Sequence, residues 1–427
     1  MLASTEEERV GVNYLQFSND NAFYKPRFET NRLLQKHNTR HTGAMASAAS
    51  DLALNAATAE KLAAVIKAAD FEGANPAALV SGPRIVLGID IGTAKMTVSK
   101  VDLSAESDSL NASVVTSDTG MKSIPPLVGF RGVARKIGEP AGLEERSNAK
   151  NTFTDLAFYI GKTKEALGLA NDCVSLFRQF EIEEDTDEIT FVVAASGNNP
   201  AMPLTGSQVA AMLLHAVSKF LSEEERKNIV GITCCHPNSY TQTQIDSLCD
   251  AIRILKIQVL PPVASTTAIE VEFSQKHADK ISLSATEQPY NVLFIDVGHT
   301  ATNTLIMQYS QASGVGSPDE EAKKASDLDN ARDISKALKG TVKHQGGDAT
   351  LGARNVDFFM FEDILAVLKE KHQGMAPIKP NSKYGSRIRV DCKKTKEILS
   401  TISETAIILE NLPGGMDARI PFSQQKL

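Results

Sequence analysis

The chain has 427 residues, enough for two or three domains with a sizeable core. Hydrophobic residues make up 42% and charged residues 23%, the balance of a soluble globular protein, and a net charge of −7 argues against a nucleic-acid partner. No apolar run is long enough to span a bilayer, so no membrane partner is expected. The start carries Glu6, Glu7 and Glu8 and no hydrophobic signal region, which points to a cytoplasmic protein. Five cysteines (Cys173, Cys234, Cys235, Cys249, Cys392) show no paired spacing and read as thiols in a reducing compartment.

Residues 1–82 read as an N-terminal extension. Met1–Gly43 is polar, locally basic (Lys25, Arg27, Arg32, Lys36, Arg40) and without periodicity, the pattern of a disordered arm. A helix is expected at 52–70, with Leu62, Ile66 and Ala69 on one face. Met45 is an alternative start.

Arg84–Asp102 predicts a strand, a tight turn and a returning strand. Asp90 closes the apolar run, and Gly92 lets backbone N–H groups approach a ligand that a Cβ would keep away. Next, 121–138 predicts two short strands turning at Arg131–Gly132. Asn148–Lys162 reads as a loop into a short helix, Ile189–Ala195 as a strand and Gly197–Pro203 as a loop. Gly206–Leu221 is a helix, with Val209, Met212, Leu213, Ala216, Val217 and Phe220 at three- and four-residue steps. A strand (Asn228–His236), a helix (Thr241–Leu255), a strand (Ile257–Leu260) and a helix from Ser265 complete an α/β unit.

Asn291–Gln308 repeats the opening arrangement: apolar run, Asp296, Val297, Gly298, a polar cluster and a second strand. Two Asp-x-Gly turns facing one cleft suit a triphosphate with a hydrated divalent cation. Backbone donors hold phosphate, and Asp90 and Asp296 hold the metal through its water. Two ordinary hairpins, each with an acid near its turn, are the bland alternative. Residues 310–341 are highly charged and read as a solvated insertion. Gly346, Gly347 and Asp348 then lead toward a helix from Val356 to Lys371, with the stripe Phe358, Phe361, Leu365 and Leu368. The double glycine is a candidate phosphate loop. A basic helix is expected over Val390–Leu399, with short strands after it.

The order of GIDIGT, NAKNT, STTAIEVEF, FIDVGHT and GGDATLG resembles the nucleotide-binding domain of the 70-kDa heat-shock chaperones, in the actin-like ATPase superfamily. The likeness runs from about Arg84 to the end of the chain. It implies an α/β fold of two duplicated lobes (83–277 and 290–427) around a nucleotide cleft, with the C-terminal part of the second lobe missing. DVGHT is similar to the pattern of the 110-kDa branch, whose members bind ATP and serve as nucleotide-exchange partners of 70-kDa chaperones. The resemblance thus implies ATP or ADP with Mg2+ as cofactors, and a 70-kDa chaperone and unfolded client proteins as partners. The first turn would bind nucleotide through Gly92, Thr93, Ala94 and Lys95, and the second through Gly298, His299 and Thr300. Gly346 and Gly347 would join them, and Lys396 and Ser400 match the adenosine-contacting helix, where a usual arginine is Glu397.

Hydrolytic positions of the family depart from its pattern. Its threonine falls on Ala301, an acid on Asn303, the lysine that organises water on Ala157, and a glutamate on Val263. Their loss removes charge stabilisation and water positioning from phosphoryl transfer, so hydrolysis is expected to be weak or absent. Two alternatives stand beside an ATP-binding exchange partner: an active ATP-hydrolysing chaperone, and a non-catalytic scaffold with a degenerate cleft.

Overall fold

The computed structural model describes residues 84–426 apart from 105–111, 133, 169–176, 179–180, 184–187, 196–199, 279, 282–287 and 312–337. The N-terminal extension, its expected helix at 52–70, and most of the charged insertion lie outside the described residues.

The first half is built on a five-stranded sheet ordered β11-β10-β1-β2-β3. Its strands are β1 (Ile85–Ile91), β2 (Met96–Asp102), β3 (Ser113–Val114), β10 (Ile229–His236) and β11 (Val263–Ala264). β1 pairs antiparallel with β2 and parallel with β10. Two antiparallel three-stranded sheets join it: β4 (Val128–Arg131), β5 (Ala134–Ile137) and β6 (Thr152–Phe153), and β7 (Glu181–Glu183), β8 (Thr190–Val193) and β9 (Met202–Thr205). The stretch expected to be a loop to Pro203 therefore ends in a strand, because Met202 and Pro203 pair with Val193 and Val192.

Two amphipathic helices, α1 (Gly206–Ser218) and α2 (Gln242–Ile254), pack against the sheet. Each starts at a reciprocal cap. Thr205 accepts from the Gln208 N–H, and Thr241 accepts from the Gln244 N–H, while each glutamine side chain returns a bond to the cap backbone. Val209, Leu213, Leu248 and Ile252 share one core with Leu87, Ile89 and Ile91 of β1. The expected strand at Ile257–Leu260 is reduced to one bridge, Val259 to Ile232. The ladder resumes only at Val263, opposite Cys235.

α3 (Ser265–Lys276) leads to the second half, a three-stranded sheet ordered β12-β13-β14. These strands are β12 (Tyr290–Val297), β13 (Thr302–Gln311) and β14 (Leu338–Asp348). α4 (Arg354–Lys371), α5 (Lys383–Leu399), β15 (Glu404–Leu412) and β16 (Met416–Ser423) form a further core around Phe361, Ile364, Leu368, Ile388 and Phe422. α4 buries Met360, Phe361, Ile364 and Leu368, so its inward face is rotated from the expected stripe; Phe358 and Leu365 sit at its margin. α5 starts at Lys383, seven residues before the basic stretch, because Ser382 caps it by accepting from the Gly385 N–H.

The two hairpins have the same register. Asp90 pairs with Thr97 across β1–β2, and Asp296 with Asn303 across β12–β13. Their turns close with the same bond, Gly92 N–H to the Lys95 carbonyl (3.0 Å) and Gly298 N–H to the Ala301 carbonyl (2.8 Å). Their surroundings differ. Leu87, Ile89 and Ile91 are 2%, 2% and 6% exposed, whereas the matching Leu293, Ile295 and Val297 are 55%, 59% and 63% exposed. β10 covers the outer edge of β1; among the described strands none covers that of β12.

Candidate functional site: a cleft between matched turns

The hairpin turns face each other. The Thr93 and Thr300 hydroxyls lie 3.1 Å apart, joined by a hydrogen bond across 207 residues of chain. Between the turns opens a cavity of about 330 Å³, within the usual range for small-molecule sites. Asp90, Gly92, Thr93, Asp296, Gly298, His299 and Thr300 all line it. Seven of the residues expected to bind phosphate and metal are thereby brought to one place.

The two acids feel each other. Burial in the concave wall, and then the nearby Asp296, raise the Asp90 pKa. Two carboxylates facing one cavity repel unless a cation sits between them. Among the described residues no group of three or more His, Cys, Asp or Glu could hold a metal directly. Two carboxylates, Asp90 and Asp296, on the wall of one cavity are the donor set that an ion such as Mg2+ would use, since it keeps its water and relies on one or two carboxylates plus ligand phosphates.

His299 is neutral. Burial first, and then the Arg354 guanidinium, hold its pKa down at about 3. Its turn is braced from behind by the start of α4. The Ala353 N–H donates to the Gly298 carbonyl (3.0 Å) and the Arg354 N–H to the His299 carbonyl (2.7 Å). Gly352 permits this approach, since a Cβ there would lie 2.6 Å from the His299 carbonyl oxygen.

That brace corrects the double-glycine reading. Gly346 and Gly347 are strand residues of β14, paired with Thr304 and Asn303 of β13, and do not line the cavity. A Cβ on Gly347 would meet the Thr302 carbonyl oxygen at 2.7 Å, so its lack of a side chain serves strand packing. The glycine at the turn is Gly352, and the cavity residue from this segment is Ala349. Ala94 and Lys95 lie in the first turn but outside the cavity wall, and Lys95 is exposed. Lys396 does not line the cavity either. Its ammonium donates to the Ala353 carbonyl (2.8 Å) and pairs with Asp357 (2.7 Å), tying α5 to the start of α4. Ser400 bonds its own helix end, through the Glu397 carbonyl.

The substituted positions divide. Ala157 and Ala301 face the cavity with no group able to hold water or charge. Asn303 also lines it, but both ends of its amide are engaged: its NH2 donates to Asp296 (3.3 Å) and its oxygen accepts the Asn238 N–H (3.1 Å). Val263 lies on β11 opposite Cys235, outside the wall. Cys235 faces the cavity, and burial followed by Asp90 pushes its thiol up to about 11, leaving it protonated and unreactive. Cys234, Cys249 and Cys392 are buried free thiols.

Sequence reasoning passed over the pairs that join the halves. Asp155, in the left-handed conformation ahead of the short helix Leu156–Tyr159, forms a buried ion pair with Arg354 of α4. Burial would raise the Asp155 pKa, but Arg354 outweighs it and holds the carboxyl at about 2. Glu145 and Arg146 pair with Arg389 and Asp391 of α5. Tyr309 donates to Glu270 of α3 at 2.7 Å. No local periodicity marks such pairs.

The sequence profile of the family described as "Hsp70 protein" matches residues 86–315. A curated relative, a heat shock protein homolog of Candida glabrata, is 25% identical over 322 residues, 74% of this chain and 40% of the relative. "Heat shock protein hsp88" of Neurospora crassa is 24% identical over 80% of this chain and 43% of its own length. "Heat shock 70 kDa protein 16" of Arabidopsis thaliana is 22% identical over 78% and 38%. The chain spans about 40% of the length of the curated relatives it matches.

Proposed function

The chain belongs to the Hsp70 family, with its actin-like ATPase fold, and on that premise we propose that it binds ATP or ADP with Mg2+ in the cleft and hydrolyses ATP weakly or not at all. The observation that carries this reading is the closure of the two Asp-x-Gly turns on one cavity, with Thr93 and Thr300 in contact. Gly92 and Gly298 spend their own N–H groups on closing the turns, so Thr93 and Thr300 within those turns would offer the backbone donors for phosphate, and Asp90 and Asp296 would hold water on the metal. The metal would supply charge neutralisation of the phosphate chain. Weak hydrolysis follows from the alanines at 157 and 301 and the engaged amide of Asn303, which leave attacking water unpositioned.

The proposed cellular role is that of an exchange partner for a 70-kDa chaperone, assisting the folding of unfolded clients in the cytoplasm. The names of the relatives, a heat shock protein homolog and a heat shock protein, support it. Among the described residues no helix is long and apolar enough to cross a membrane.

Calorimetry of MgATP against the chain and the Asp90→Ala/Asp296→Ala variant tests binding. The variant removes a buried carboxylate and a repulsion at the cost of the Asn303–Asp296 bond, so its ligand-free thermal midpoint should stay close to that of the parent while MgATP binding is lost. Retained binding in the variant would refute the site. Single-turnover hydrolysis at the rate of an active chaperone would refute the proposed inactivity.

A further inference from the structure

We infer that Lys162 is the phosphate-facing cation of this cleft, taking the charge role that Ala157 cannot fill. This rests on the nucleotide reading above. Among the described residues that line the cavity, Lys162 is the only lysine or arginine. The other charged groups there are Asp90 and Asp296, and His299 is neutral at physiological pH. A magnesium-chelated triphosphate brings a net negative charge of about two to a wall that already carries two carboxylates. Without Lys162, every full charge that the described lining residues present to the phosphates would repel them.

The backbone holds Lys162 in place. Its N–H donates to the Tyr159 carbonyl (3.1 Å) and its carbonyl accepts the Ile189 N–H (3.0 Å). Gly161, immediately before it, has φ 62°, and a Cβ there would lie 2.6 Å from Gln244 Cα, so the turn is pressed against the start of α2. The ammonium sits 3.3 Å from the centre of the Phe158 ring, a cation–π contact that keeps the charge on this side of the cleft. Ala157 and Phe158 lie on the same wall as Lys162, so the cation stands beside the position that lacks one.

Calorimetry of MgATP and MgADP with Lys162→Met and Lys162→Arg, at two salt concentrations, tests the assignment. Lys162→Met should weaken MgATP binding about tenfold, with a smaller loss for MgADP and a shallower salt dependence. Lys162→Arg, which keeps the charge, should retain most of the affinity. Equal affinity of Lys162→Met and the parent chain, with binding still abolished by Asp90→Ala/Asp296→Ala, would overturn the assignment and leave the nucleotide site standing. A Lys162→Arg variant as weak as Lys162→Met would also overturn it, because the charge would then not be the cause. Failure of the parent chain to bind any nucleotide would remove both readings.

Discussion

Replacing Arg354 by leucine should destabilise the protein by about 3–5 kcal/mol, the usual result of breaking a buried ion pair from one side. Arg354 is 3% exposed and Asp155 5% exposed, and their pairing joins segments 199 residues apart. The carboxylate keeps one other bond, from the Thr154 hydroxyl at 2.6 Å, which is too little to solvate it. Holding the Asp155 carboxyl at about 2 instead of the usual 3.8 is worth roughly 2–3 kcal/mol at neutral pH. Its folded pKa is depressed, so this contribution is complete above pH 3.8 and is lost as pH falls through 2. Removal of the arginine adds the cost of an uncompensated buried charge. Urea unfolding followed by circular dichroism should show a lower midpoint with an unchanged slope. The double variant Asp155→Leu/Arg354→Leu should recover most of the loss, since it buries no lone charge. A single variant within about 1 kcal/mol of the parent, or a double variant no better than the single, would refute the reasoning.

Two further outcomes follow from the same physics. His299 has a folded pKa of about 3, below its ordinary 6.5, so the unfolded chain binds the extra proton between those values and stability falls as pH drops through that window. His299→Asn should flatten the acid limb of a stability–pH curve between pH 6.5 and 3, by up to a few kcal/mol relative to the parent, and an unchanged limb would show that the imidazole is not desolvated. Ile89→Ala, in the covered β1, should cost about 2–5 kcal/mol, whereas Ile295→Ala, at the matching position of β12, should cost no more than about 0.5 kcal/mol. Equal losses in thermal or urea unfolding would show that both sheet faces are covered.

Much of the first half is legible in the sequence because its determinants are local. Thr205 and Gln208, and Thr241 and Gln244, stand three residues apart, and each pair starts a helix expected from the sequence. Asp90–Gly92 and Asp296–Gly298 sit at the ends of apolar runs, and both become hairpin turns closed by the same bond. Local pattern is a poor guide where backbone pairing is long-range. Gly346 and Gly347 read as a phosphate loop because glycine favours turns, yet β13 recruits them into its ladder, and the close approach at the turn of this segment, made by Gly352, is to the His299 carbonyl. Ile257–Leu260 has the composition of a strand, but the chain lies beside β10 there at a single bridge.

The sequence by itself determined the repeated acid–glycine turns, the capped helices and the α/β class, because backbone hydrogen bonds and side-chain period act over a few residues. Only the tertiary structure decided that the two turns meet at Thr93 and Thr300, that Arg354 neutralises Asp155, that Lys162 reaches the cavity, and that Leu293, Ile295 and Val297 of β12 are exposed where the matching residues of β1 are buried. Each of those depends on which distant segments come together, and burial and charge pairing acquire their strength only once they have.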